Sequence, residues 1–523
     1  MNLKFRRKTM RKYSKLLALL MVALMVFSAC SKPADNTSGQ DKTGTDTPKG
    51  DKLAKDTLTI GVWEDLATMD PQSSNRASNW MVQRMIFDKL VNEKSDGTVE
   101  PRLAKSWELL DDLTLEMKLR DDVYFSNGEK FTAADVLFTF ERGLANPITA
   151  STFKYIDAAN TEIIDEYTIK IKFTAPYAAI FNTLSGGRGS IVCKKAVEEM
   201  GEAAYARNPV GTGPYKLQSW ESGSQITLVK NDKYWGEEAK TPNLVFKIIP
   251  EAANRVIELE TGGVDIIYEV NGIDVKRVDE LENASIVMGD SNRYMVLTFS
   301  MQDEILQNKD LRYALSYALD INSLVDAIYS GTAKPATGFY PSNVFAFKDL
   351  GVMPYDLEKA KELMIKAGYP NGLKLKFNYE DREIDKKIAE VIQNMWGKIG
   401  VQLEFFQMDS STYQGQGHKF QAGMRAGNAN EPSNILIIYD SKFKDKIQSN
   451  DNHLDEMLSN AMTLYDNTER AKAYGEIQDY LYDIRYSIPL AFTPVIFGVS
   501  DKVEGFVMDP LQQIDLQNVV VYE

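Results

Sequence analysis

Two periodicities trade places along this chain. Thr57–Trp63 alternates and is β-branched, which predicts a strand, and Leu113–Leu119 alternates strictly, as a half-buried strand should. Thr168–Phe173, Gln225–Lys230, Leu373–Tyr379 and Val401–Phe406 read the same way. Between them the apolar spacing changes to that of helices, over Trp80–Val91, Asp310–Ala327, Asp356–Ala367 and Ile388–Ile399. Thr132 and Asp135 form a capping box at the start of another helix, and Gly368 and Gly400 stop two of those above. Phe125-Ser126-Asn127-Gly128 and Gly211-Thr212-Gly213-Pro214 are turns, and Ser190–Cys193 reads as a buried strand. Strands alternating with glycine-stopped helices are the pattern of an α/β protein, and no repeat relates its halves.

The first fifty-six residues follow other rules. Residues 1–15 hold seven basic side chains and no acid, and Leu16–Ala29 is almost wholly apolar. That is the layout of a secretory signal, too short to span a bilayer stably. It ends in Phe27-Ser28-Ala29-Cys30, which resembles the lipobox of bacterial lipoproteins and makes Cys30 the expected lipid site. Residues 30–56 are rich in Ser, Thr, Gly, Asp, Lys and Pro and are expected to be a flexible tether.

Charge and chemistry narrow the field. The formal charge is −14, and removing the +7 of residues 1–29 leaves −21 on the rest. Such acidity argues against nucleic acid as a partner and weakly favours cationic or zwitterionic ligands. With Cys30 acylated, Cys193 is the sole remaining thiol, so a disulfide framework is excluded. The two histidines, His418 and His453, sit in polar stretches that read as solvated loops, and the metalloprotease, serine-hydrolase and P-loop motifs are all missing. No catalytic residue, metal site or cofactor is expected. A lipid-anchored hydrolase is therefore disfavoured.

Longer motifs then carry a resemblance. WELLDDLTLEMKLRDDVYFSNGEKFTAADVLFTFER, from Trp107 to Arg142, is similar to a stretch of the family 5 extracellular solute-binding proteins. So are Asn208–Tyr215, Leu311–Leu315 with Ala318–Asp320, Tyr355–Pro370, Ile399–Val401 and Ile488–Leu490, which together span residues 57–523. The resemblance implies a periplasmic-binding-protein-like α/β fold of two lobes (type II, cluster C) with an extra domain in the first. Lobe one would comprise 57–95, 205–298 and 489–523, the extra domain 96–204, and lobe two 299–488. The chain would cross between lobes near Thr298–Ser300 and Ile488–Leu490.

The implied function is that of a monomeric, lipid-anchored subunit of an ABC importer. It would close on a small peptide or related solute and deliver it to membrane permease subunits, hydrolysing nothing itself. Metal chelates, opines and glycans are alternative ligands, and a sensor or chaperone role on the same fold is an alternative function. In oligopeptide-binding members of the family an Asp in a lobe-two loop pairs with the peptide α-ammonium. Here Asn428 stands at that place, before Asn430-Glu431-Pro432, so a buried carboxylate anchor for a free amine is not expected there. Arg425 matches a family arginine able to reach ligand carboxylates. Asn75 and Arg76, after Asp70-Pro71, and Phe492, past the second crossing, complete the candidate ligand contacts.

Overall fold

The structure, a computed structural model, describes residues 53–523 apart from 75–76, 95, 410–411, 414–415, 443–446 and 509–513. The described residues open with β1 (Thr57–Val62) and a helix over Ala77–Ile86, followed by the short hairpin β2 (Val91–Glu93) and β3 (Val99–Pro101). Four strands then build a separate antiparallel sheet: β4 (Ala104–Asp111), β5 (Thr114–Leu119), β6 (Glu162–Asp165) and β7 (Thr168–Lys172), in the order β4-β5-β7-β6. The strands β8 (Tyr215–Glu221), β9 (Gln225–Lys230), β10 (Asn243–Ile248) and β11 (Ile266–Tyr268) return to β1, which lies parallel to both β10 and β11.

Two long strands come next, β12 (Ala284–Phe299) and, far along the chain, β17 (Ser487–Ser500). Between them lie β13 (Lys334–Pro335), β14 (Leu373–Glu380), β15 (Val401–Met408) and β16 (Ala422–Asn428). The main sheet has eleven strands in the order β15-β14-β16-β12-β17-β11-β1-β10-β9-β8, with β13 added on β17. Parallel pairs such as β14 and β15 need a crossover, and the helix Glu383–Gly397 supplies it.

The fold is the two-lobed α/β type expected from the sequence. One large core holds Leu58, Ile60, Phe140, Val495 and Phe497, and a second holds Leu297, Phe299, Trp396, Ile488 and Leu490. The strands β12 and β17 serve both. In β12, Val287 packs on the first core and Met295 on the second; in β17, Ala491 belongs to the second and Val495 to the first. Their antiparallel ladder runs from Ala284 opposite Ser500 to Thr298 opposite Ser487 and slips register between Gly289 and Arg293. The hand-over between cores falls at that irregularity, where a ladder is most easily bent.

Local sequence signals explain many element ends. Asp135 Oδ2 accepts from the Thr132 amide at 2.9 Å, completing the capping box. Asp356 caps its helix by accepting from Lys359 N at 3.0 Å, and Gly368 follows at φ +92, a left-handed conformation that favours glycine. Four expectations are corrected. Asp310–Ala327 is two helices, Lys309–Tyr317 and Ile321–Tyr329, because Asp320, in the middle of the expected helix, caps the second. The helix expected over Trp80–Val91 ends at Ile86, and Val91 opens β2. Cys193 is buried as expected, but in a loop that caps Lys194–Met200 and not in a strand. His453 is exposed, on the first turn of the helix Asn452–Thr463.

Gly211 and Gly213 serve close approach more than turning. A Cβ at Gly211 would lie 2.0 Å from the Ile86 carbonyl oxygen, and Gly213 N donates to that same oxygen at 2.8 Å.

A buried ion pair fixes the loop after β1 to the helix Ala133–Ala145. Arg142 Nη1 donates to Asp70 Oδ1 at 3.0 Å and to Gln72 Oε1 at 2.8 Å. Burial pushes the Asp70 carboxyl up, but the hydrogen bonds and charge of Arg142 outweigh it and hold the group below the ordinary range. Arg142→Met should cost about 3–5 kcal/mol in urea unfolding, because it strands a buried carboxylate. Adding Asp70→Asn should restore part of that loss, and a single variant as stable as wild type would contradict the pairing.

Candidate functional site

A large cavity among the described residues, about 480 Å³, lies where elements of both cores and of the small sheet's surroundings meet. Three walls can be distinguished by chemistry. The helix Ala77–Ile86 and its exit contribute Trp80, Arg84 and Lys89, with Tyr268 from β11 beside them. The segment 151–190 contributes Lys154, Tyr155, Tyr177, Asn182 and Arg188. The third wall follows β16 and the helix Pro432–Leu436, with Asn428, Asn430, Ser433 and Asn434, and is uncharged.

Three of these basic side chains, Arg84, Lys154 and Arg188, are held in place by local structure. Arg188 lies in the turn Gly187–Gly189, where Nη1 donates to Thr152 Oγ1 at 3.0 Å and the guanidinium carbon sits 5.9 Å from the Trp80 ring centre. Burial lowers the pKa of Arg188 from its ordinary value. Arg84 Nε donates to Trp80 O at 3.2 Å, one turn back along its helix. Lys154 Nζ stands 4.8 Å from the Tyr155 ring centre, and Tyr155 stacks on Tyr177 at 4.3 Å. Burial raises the Tyr177 and Tyr268 phenols, which keeps both neutral donors at physiological pH. Among the described lining residues there are four cationic side chains and no carboxylate. The cavity lining therefore opposes the acidity of the whole chain.

Across one rim the two cores are tied by hydrogen bonds. Ala178 N donates to Met462 O at 2.8 Å. The Tyr465 hydroxyl accepts from Tyr177 N at 3.1 Å and donates to Asp112 O at 2.9 Å. Asn434 Nδ2 also donates to Asn182 Oδ1 at 3.3 Å.

The residues singled out from sequence fall in different places. Asn428 ends β16, is exposed, and lines the large cavity. Arg425, three residues earlier on that strand, lines a separate pocket of about 30 Å³ with Asn378 and Tyr413. Phe492 borders a third one, of about 40 Å³, with Asp290 and Lys334, and its ring meets Phe347 edge-on at 6.5 Å. Cys30, Asn75 and Arg76 lie outside the described residues. The sequence reading missed Trp80, Lys154, Tyr155, Tyr177 and Arg188. Only Arg188 carried a local signal, an arginine among glycines in Gly186-Gly187-Arg188-Gly189.

Comparison with known proteins accords with this geometry. Residues 98–446 match the family model described as bacterial extracellular solute-binding proteins, family 5 Middle. Heme-binding protein A of Haemophilus influenzae is 26% identical over 529 residues, covering 94% of this chain and 96% of that protein. Glutathione-binding protein GsiB of Salmonella typhimurium is 26% identical over 478 residues, covering 88% and 93%. Among solved structures, the substrate-binding protein CtaP of Listeria monocytogenes superposes with a TM-score of 0.80 at 24% identity, covering 90% of this chain and 100% of that one. DppA of Helicobacter pylori in complex with the peptide STSA gives 0.77 at 24% identity, covering 90% and 99%. The chain belongs to the bacterial extracellular solute-binding proteins of family 5, the extracytoplasmic, non-enzymatic substrate-binding components of ABC importers.

Proposed function

We propose that this protein captures a small solute carrying carboxylates, peptide-like in size, and presents it to an ABC permease after its lobes close. The observation that carries the reading is the lining of the large cavity, with Arg84, Lys89, Lys154 and Arg188 and no described carboxylate. Charged hydrogen bonds in a water-poor cleft are stronger than on a surface, so these side chains would select anions. The third wall offers amides and hydroxyls, which suit a neutral peptide-like backbone. Relatives whose names specify glutathione, and a structural neighbour from A. tumefaciens crystallised with agropinic acid, support a carboxylate-bearing ligand. The neutral Asn428 on the cavity edge supports the view that a free ammonium has no carboxylate anchor at that place.

The lobes of this reading are those expected from the sequence, with 96–204 as the extra domain of the first, except that the crossings sit at the register slip, because Met295, Leu297, Leu490 and Ala491 pack in the second core. Closing bends β12 and β17 where their register slips, and the Tyr465 hydroxyl latches the rim. Lipid on Cys30 would hold the protein at the membrane surface, for which the basic and apolar leader and the small residues before Cys30 are the support. Among the described residues no helix is long and apolar enough to cross a membrane.

Three outcomes are expected. In calorimetry, tripeptides with free carboxylates, glutathione among them, should bind at least about tenfold more tightly than their amides, since a charged hydrogen bond contributes about 1.5–3 kcal/mol. Arg188→Gln should narrow that gap, and equal affinity for acid and amide would refute the anionic reading. Asn428→Asp should improve binding of free-amine peptides and weaken that of acidic ones; a change in the opposite sense would remove Asn428 from the site. Cys30→Ser should release the protein from membranes and abolish palmitate labelling, and a variant still bound and labelled would exclude Cys30 as the anchor.

A further inference from the structure

The seam beneath the cavity holds an unbalanced set of charges. Glu431, at the start of the helix Pro432–Leu436, is fully buried and paired with buried Arg470 at 2.5 Å. The Tyr474 hydroxyl donates to the same carboxylate at 3.3 Å. These residues belong to elements of the second core, which includes Leu436 and Tyr474. Facing them is Glu93 on β2, a hairpin anchored in the first core by Val91. Its Oε2 accepts from Asn182 Nδ2 at 3.1 Å, and Asn182 in turn accepts from Asn434 of the second core. The hairpin turn also abuts the second core, since a side chain at Gly97 would meet Asn467 at 3.2 Å.

Two carboxylates thus act on each other across the seam, and the one guanidinium near them is paired with Glu431. The other groups facing this seam do not correct the balance. Asn182 and Asn434 are neutral amides, and burial raises the phenols of Tyr177, Tyr340 and Tyr474, so they stay uncharged. Lys94 and Glu100, on the outer side of the hairpin, are exposed and neutralise each other.

We propose that closing the cleft takes up one proton, held on Glu93 where it meets the Glu431–Arg470 pair. In this structure, whose seam is bridged by the Tyr177 and Ala178 amides, burial and then the Glu431 charge raise the Glu93 carboxyl to about 8, against an ordinary 4.5. Opening returns Glu93 to water and separates it from Glu431, so the ordinary value is restored. The closed form therefore binds the proton more tightly than the open form. Stabilisation of closure is complete below about 4.5, falls by up to about tenfold per pH unit, and is lost as pH rises through about 8. The Glu93 carboxyl is neutral in the closed form at neutral pH and charged in the open one.

Hydrogen exchange on the full chain, with no solute added, reads this directly. The amides of Tyr177 and Ala178 are bonded across the seam and report the closed population. After correction for intrinsic exchange, their protection in wild type should fall steeply between pH 6 and 8. Glu93→Gln mimics the protonated acid and should give high protection that no longer varies with pH. Glu129→Gln, in an exposed pair with Lys195, should retain the wild-type slope. A flat wild-type profile, or an unchanged slope in Glu93→Gln, overturns the proposal. Either failure leaves the solute class untouched, because the measurement involves no solute.

Discussion

Everything distinctive about this molecule depends on one hydrogen-bonded ladder. The strands β12 and β17 are far apart in sequence, yet they pair over most of their length and each contributes side chains to both cores. A continuous antiparallel pair is stiff along its strands and yields where its register slips. Here the slip from Gly289 to Arg293 coincides with the change of core, so the ladder joins the two cores where its own pairing is irregular. At that level Arg293 pairs with Glu269 at 2.5 Å, joining β12 to the residue that follows β11. Glu269 itself has φ +59, a left-handed backbone that a non-glycine residue adopts only when its surroundings hold it there.

The cavity is a consequence of that arrangement. Two hydrophobic cores buried separately leave a polar seam between them, and a polar seam must satisfy its groups from both sides. Part of the seam does so through hydrogen bonds of Tyr465, Met462 and Ala178. The rest is open volume lined by cations on one side and amides on the other. A chain with formal charge −14 can nonetheless present a basic pocket, because net charge is a sum over the whole surface and a lining is a local selection from it.

Secondary structure was largely readable in advance, and its exceptions have physical causes. The alternation of Leu113–Leu119 and the capping residues Thr132, Asp135 and Asp356 act over three or four residues, so their outcome shows in local sequence. Asp310–Ala327 misled because its apolar stripe continues across a break. Asp320 can end a helix or cap the next, and packing around Leu319 and Ile321 selects the second role. Cys193 read as a strand because a short apolar run shows burial without showing backbone form.

The sequence by itself determined the family and the α/β class, and it offered Asn428 as a candidate ligand contact, a residue that lines the large cavity. These follow from motifs and periodicities whose parts are neighbours along the chain. Only the tertiary structure decided the character of the cavity. Trp80, Lys154, Tyr177, Arg188 and Asn434 come from segments scattered over more than three hundred and fifty residues, and no local pattern links them. It likewise parted Arg425 from Asn428, since neighbours on β16 three residues apart border different spaces once both faces of the strand are covered. Glu93 and Glu431 are unremarkable acids in sequence; only folding puts them on opposite sides of one seam, where burial makes a charge costly.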